Sequence, residues 1–391
     1  MSMSLYITRQ PLINRQGKII ATRLCLHSQD DDSAAVIAAL NALTDCWPQS
    51  DRSIFVNFDS VPGDMGLLDW VAPANVTFEL PGTPFCAEQA ADFVAALKEA
   101  NLSLCYDFDA HAAQTLSSGT AFRFIGFDTR KFSVAQLKVL AAKTQAFGIP
   151  VAFNVDAQQD FKDCIDAGMS AAAGWFVKQP TGSPAKQLNA SQAHIVRVLN
   201  LVRKNADVGE IEAALKQDVA LSYKLLRYIN SVGFGLSCEV QSFKHAVTIL
   251  GYDKLNKWLS LLLVTASKDP MAPTLMHTAL TRGRMMEQLG QGLVERQEYD
   301  NLFITGAFSM LDLLLGVSME SALESMHLPE PITDALLGNG GLYAPFLELA
   351  LACEGSAGAG LAEQADMLGL RPEQVNRAQL AAINFADTME Y

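Results

Sequence analysis

The chain has 391 residues, a formal net charge of −13 at neutral pH, and is half hydrophobic. That length accommodates two domains with sizeable cores, while the acidic balance argues against nucleic acid or an anionic membrane as the main partner, since both demand a basic surface. The seven scattered cysteines include no CxxC pair and read as reduced thiols. The N-terminus lacks the basic-then-apolar pattern of a signal peptide, and no apolar run approaches the roughly eighteen residues that span a bilayer, so the expectation is a cytoplasmic protein.

In chain order, β-rich runs occur at Leu5–Thr8, Ile19–Leu26, Ile54–Asn57, Val76–Leu80, Leu102–Asp107, Phe122–Phe127, Pro150–Val155 and Gly174–Val177. The first two are separated by Asn14-Arg15-Gln16-Gly17, a hairpin length, which predicts an antiparallel pair. From the third run onward the starts lie about 20 to 28 residues apart, room for a strand and its crossover helix. Thr83-Pro84 opens one such helix, and Ser133 with Gln136 forms a capping box for another, with Phe132 and Leu137 placed to staple it and Gly148 to end it. Eight strands with repeated crossovers predict a (β/α)₈ barrel rather than an open doubly wound sheet, which would carry a Gly-rich phosphate loop after its first strand.

Gln179–Pro184 is a turn-forming segment with two prolines, read as a linker. Beyond it the pattern is helical. Leu221, Leu225, Tyr228 and Ile229 repeat at helical spacing and Asn230-Ser231 close that helix. Gly233 and Gly235 bracket a bend, and a second helix runs from Ser242 to Gly251. Phe234 and Leu236 are apolar residues at this Gly-rich bend, and so candidates for a protein-contact surface, with core packing as the bland alternative. Lys244, Lys254, Lys257 and Lys268 read as a solvated helix face. No GxSxG, Walker loop or HExxH is present.

The opening words TRQPLINRQGKIIATRLCL, ahead of a barrel, resemble the divergent EAL domains found fused to HDOD domains. The order Asp, Leu-Leu-x-x-Ile-Asn-Ser, Phe-Gly-Leu, Ala-x-x-x-Leu-Gly over 218–251, with FITGAFSMLD downstream, resembles HDOD itself. EAL enzymes hydrolyse cyclic di-GMP with metal ions held by carboxylates at the C-terminal ends of barrel strands, so the resemblance invites an audit of those positions. The signature Glu of the second strand falls at Arg23, a cation where a metal ligand is required. Asn57, Glu79 and Asp107 stand where the family has acceptors, with Asp128 nearby. The first Asp of the paired motif is replaced by Tyr106, the Lys of Lys-x-Asp by Gly126, a carboxylate by Phe153, and a Gln before Gly174-Trp175 by Ala173. A hard divalent ion wants six oxygens in near-octahedral order, so Asn57, Glu79, Asp107 and Asp128 read as structural strand-end residues, with a remnant ligand pocket as the alternative.

HDOD domains resemble HD-type metal phosphohydrolases without their ligands. Here Ser309 and Met310 replace the His-Asp pair and His277 is a lone upstream candidate, so no metal and no cofactor are expected; His277 and His245 read as structural. The expectation is therefore α/β plus all-α: an EAL-like (β/α)₈ barrel with an antiparallel first strand at 1–180, a linker at 181–189, and an all-helical, HD-related HDOD domain at 190–391. The resemblance implies a non-catalytic bacterial signal-transduction protein whose partners are other signalling proteins. The alternatives are an effector that binds cyclic di-GMP or a related nucleotide without cleaving it, and a weakly active cyclic di-GMP phosphodiesterase.

Overall fold

A computed structural model describes residues 5–28, 33–58, 65–80, 96, 99, 103–109, 122–178, 190–217, 251–253, 255–257, 259–260, 263, 271–324, 326–355 and 360–389. The expected helix at 83–97, apart from Ala96, those at 218–229 and 242–250, the linker, His245, Phe234 and Leu236 lie outside these residues. The chain forms two compact units: residues 1–179 with 351–380, and residues 180–350 with 381–391.

The first unit is built on a closed barrel of eight strands in sequence order. These are β1 (Tyr6–Asn14), β2 (Ile19–His27), β3 (Ser53–Asn57), β4 (Val76–Leu80), β5 (Ser103–Asp107), β6 (Phe124–Asp128), β7 (Ile149–Phe153) and β8 (Ala171–Ala173). β1 is antiparallel to both β2 and β8, and each pair from β2–β3 to β7–β8 is parallel. The hairpin turn is set by Asn14, whose side-chain oxygen accepts from the N–H groups of Gln16 and Lys18, both at 3.0 Å, and by Gly17 at φ 72°. Period-two alternation sends Leu12, Ala21, Phe55, Cys105, Phe124, Val151, Phe153, Ala171 and Ala173 into one interior cluster.

The last strand differs from the expectation. It is Ala171–Ala173, and the aromatic run that follows forms a 3₁₀ turn over Phe176–Lys178, with Phe176 stacked on Phe161 at a centroid distance of 4.3 Å. Three alanines carry no β-branched signal, yet their small side chains suit the crowded closure between β1 and β7. Gly174 is required just beyond: a Cβ there would lie 1.9 Å from the Val155 carbonyl oxygen. The capping box is formed, with the Ser133 and Gln136 side chains each accepting from the other's backbone N–H. Phe132 packs against Phe108 and Phe127.

Because β1 enters through a hairpin, no crossover helix covers its outer face. Residues 351–380, expected within the helical domain, group with the barrel and supply that cover. The Arg9 N–H donates to the Cys353 carbonyl at 2.8 Å, and the Asn376 side chain accepts from the Ile7 N–H at 3.1 Å and donates to the Leu5 carbonyl at 2.8 Å. The Arg9 guanidinium, 4% exposed, donates to Glu354 at 2.6 Å and to Gln379 at 2.9 Å. Glu354 is itself buried and also holds Lys178 at 2.8 Å.

The second unit is helical, including Ala190–Arg203, Val208–Leu215, Ala272–Leu289, Tyr299–Phe308, Leu311–Leu315, Met319–Glu324 and Glu330–Leu337. Ala272–Leu289 and Tyr299–Phe308 meet backbone to backbone: a Cβ on Gly306 would lie 2.6 Å from the Gly283 nitrogen. Lys257 is not the solvated side chain its spacing suggested. It is largely buried and ion-paired with Glu287 at 2.8 Å and Asp300 at 3.0 Å. Lys244, Lys254 and Lys268 lie outside the described residues.

Removing the Glu354 carboxylate strips a buried guanidinium of its counter-charge. Glu354→Ala is expected to cost the full chain about 3–5 kcal/mol in equilibrium denaturation. A loss below about 0.5 kcal/mol, the scale of an ordinary surface substitution, would show that this contact does not hold the cover on β1.

Candidate functional site

The C-terminal ends of the parallel strands gather the four carried-over positions in neighbouring order. Asn57 ends β3, Glu79 is the penultimate residue of β4, Asp107 ends β5 and Asp128 ends β6. Strand register sets Asn57 beside Glu79, Asp107 beside Gly126 and Asp128 beside Phe153.

The centre of this cluster is occupied by Arg23, which β2 points into the barrel. Its Nε donates to Glu79 Oε2 at 2.7 Å and its Nη2 to Oε1, a bidentate pair in which Glu79 is fully buried. Asn57 Nδ2 donates to the same Oε1 at 2.6 Å. Arg23 Nη1 donates to Gln10 Oε1 at 3.1 Å and reaches Asn154 Oδ1 at 3.5 Å. The Phe153 ring lies over the guanidinium, its centroid 4.2 Å from Cζ. Burial alone would lower the Arg23 pKa, but the neighbouring Cys25, Glu79 and Asp107 together outweigh it and raise the pKa well above its ordinary value.

Phe153 and Gly126 are a matched pair. A Cβ on Gly126 would lie 2.2 Å from Phe153 Cε2 and 2.8 Å from Asp107 Oδ1, so the ring fills the space that a side chain at 126 would need. Asp128 is turned to local partners at the barrel mouth. Arg130 donates to it from Nε at 2.9 Å, from Nη2 at 2.8 Å and from its backbone N–H at 3.0 Å. Burial would raise the Asp128 pKa, and these bonds, with one from Asn154, bring it below the usual value instead.

These donors do not fit a divalent cation. Both Glu79 oxygens face a guanidinium, Asn57 is turned to Glu79 as a donor, and a permanent positive charge stands where the ion would sit. Sequence reasoning singled out Arg23 and Phe153 as departures but missed Gln10 and Asn154 as their partners. Gln10 faces Arg23 only because the register shifts between Leu12 and Ile13; counting back from the hairpin turn sets Arg9 there instead. Asn154 sits at φ 59°, a backbone conformation that Asn tolerates better than most residues.

In the helical unit, the position of an HD pair is held by Ser309 and Met310. Arg282, 2% exposed, donates from Nη1 to Ser309 Oγ at 2.8 Å. His277, 6% exposed, is bonded through Nε2 to Asp387 Oδ1 at 2.8 Å, a partner 110 residues away that sequence reasoning did not supply. Among the described residues no three His, Cys, Asp or Glu side chains converge as a metal site would require. Arg203 is a mostly buried cation without a carboxylate partner among the described residues. Its Nε donates to Asn256 at 2.8 Å, but both terminal nitrogens are buried without a hydrogen-bond partner, and burial brings its pKa down to about 10.

Comparison with known proteins follows this division. Residues 188–325 match the HDOD domain family. The uncharacterized protein YuxH of Bacillus subtilis is 22% identical over 373 residues, covering 89% of this chain and 90% of that protein. The cyclic di-GMP phosphodiesterase CdgJ of Vibrio cholerae is 28% identical over 236 residues, which span 59% of this chain and 54% of CdgJ. Among solved structures, the FimX EAL domain of Pseudomonas aeruginosa bound to c-di-GMP is 15% identical with a TM-score of 0.36, over 45% of this chain and 90% of that one. The PaMucR phosphodiesterase in complex with c-di-GMP is 14% identical with a TM-score of 0.38, over 44% and 95%.

Two measurements check the charges. Glu79→Gln is expected to lower stability by about 3–5 kcal/mol, because Arg23 stays buried and charged; an unchanged melting curve would refute the pairing. Arg203→Met, which removes a buried unpaired charge while keeping bulk, is expected to raise the melting temperature.

Proposed function

We propose that this chain, an EAL-type barrel joined to an HDOD domain, is a non-catalytic signal-transduction protein that acts by binding other proteins. The observation that carries this reading is the Arg23–Glu79–Asn57 cluster beneath the Phe153 ring. The relatives' c-di-GMP chemistry needs metal-activated water. In this barrel Arg23 takes up the charge of Glu79, so attracting a metal would require breaking a buried bidentate ion pair. Phe153 closes the space above, and Gly126 offers no side chain to position water. The substitutions support one another: each fits the space or the charge left by another. In the helical unit, Arg282 on Ser309 and His277 on Asp387 complete a second set of polar contacts satisfied within the protein.

Purified full-length protein is expected to show no turnover of cyclic di-GMP with Mg²⁺ or Mn²⁺. Turnover that is stimulated by either ion and abolished in Glu79→Ala would overturn the proposal. Arg23→Glu alone is expected to destabilise the barrel without restoring activity, since it buries two carboxylates together and leaves Phe153 in place. Calorimetry with cyclic di-GMP, with and without Mg²⁺, separates the reading from a nucleotide-binding effector: saturable heat without hydrolysis would replace it with that alternative. The full chain is expected to purify without stoichiometric iron, manganese or zinc. Elemental analysis that finds such a metal in the wild type and not in His277→Ala would refute this.

A further inference from the structure

The helix Ala190–Arg203 lines a groove of about 350 Å³ together with His327, whose backbone N–H donates to Asn200 Oδ1 at 3.1 Å. Val196 and Leu201 give the groove an apolar floor, and Arg197, Lys204 and His327 bring basic groups to its rim, all three exposed. Among the described residues no carboxylate lines it, and none of these three side chains forms an ion pair; Arg197 makes only a long contact to Gln217 Oε1 at 3.4 Å.

That grouping runs against composition. The chain has 42 acidic residues against 29 Lys and Arg, and in the same unit Lys216, Lys257 and Arg284 all have carboxylate partners. We propose that this groove docks a short acidic segment of a partner protein, one in which carboxylates flank apolar residues. Arg197 and Lys204 stand seven positions apart on a helical path, about 10 Å along the axis. In the polyproline II conformation a peptide rises about 3.1 Å per residue and turns once in three residues, so its first and fourth side chains share a face about 9 Å apart. A Glu-apolar-apolar-Glu segment in that conformation would place one carboxylate at each cation and bring its middle side chains alongside Val196 and Leu201. A uniformly charged polyanion has nothing to set on that floor, and the net charge of −13 repels it elsewhere. The proposal rests on the chain acting through protein contacts and specifies the chemistry of one partner.

The probe is a fluorescein-labelled Gly-Ser-Glu-Leu-Leu-Glu-Ser-Gly peptide, titrated with the full chain by fluorescence anisotropy beside a counterpart with Gln at both Glu positions. The expected result is saturable binding of the acidic peptide that is at least fivefold weaker for the Gln peptide and weakened by 0.5 M salt. In the Arg197→Glu/Lys204→Glu variant, whose folding is checked by thermal melting, binding should be lost, and a peptide with Lys at both Glu positions should bind instead. Equal binding of the acidic and Gln peptides, no saturation up to 1 mM, or unchanged affinity in the folded variant would overturn the inference. So would binding of a single-stranded oligonucleotide at this surface in preference to the peptide. Cyclic di-GMP turnover with peptide binding intact would overturn the functional proposal alone. Absent turnover with no peptide binding would overturn this inference alone.

Discussion

Two buried arginines on one hairpin set the terms for the barrel unit. Arg9 on β1 faces outward and Arg23 on β2 faces inward, and neither has water to solvate it. A charge taken out of water persists only where a counter-charge and matching acceptors are fixed beside it. Each arginine has one: Glu354 for Arg9 and Glu79 for Arg23. The first pairing ties residues 351–380 to the barrel wall, and the second closes its mouth. The antiparallel entry of β1 leaves its outer face for residues 351–380 to cover, and the alternation along β2 points Arg23 inward toward Asn57 and Glu79 at the ends of β3 and β4.

The inner pairing changes what a barrel of this shape can do. Carboxylates at the C-terminal ends of parallel strands usually await something from outside the chain. Here a guanidinium from the chain itself makes the charge-assisted hydrogen bonds that a ligand would otherwise make. An arginine is permanently charged and forked, so it satisfies both oxygens of Glu79 at once and has no protonation state in which it would leave. Phe153 then has a cation to cover, and Gly126 must stay bare to admit the ring. Seen this way, Arg23, Phe153 and Gly126 form one packed arrangement rather than three separate features.

What the sequence revealed, and what it did not, follows the range of each interaction. The hairpin, the capping box at Ser133 and most strands are local, and their residues announce them within a few positions. β8 escaped because Ala171–Ala173 is chosen for small volume at the barrel seam, while Trp175–Val177 carries a strand-like composition into a 3₁₀ turn. Arg23 was legible as a departure from the family pattern, since its position within the motif is fixed by strand order. Its partners Gln10 and Asn154 were not, because they depend on register and on an uncommon backbone conformation.

The pairings that organise each unit were the least legible of all. Glu354 lies 345 positions from Arg9, and Asp387 lies 110 positions from His277. No periodicity links such residues, and each taken alone reads as an ordinary polar side chain on a helix. Burial is what distinguishes them, and burial is a property of the assembled fold. The segment carrying Glu354 reads as one more stretch of a helical domain, yet its side chains complete the barrel. A boundary drawn from composition separates residues by their neighbours in sequence, whereas the free-energy cost of an uncompensated charge groups Arg9 with Glu354 and Gln379, and so places the edge of the barrel unit beyond residue 350.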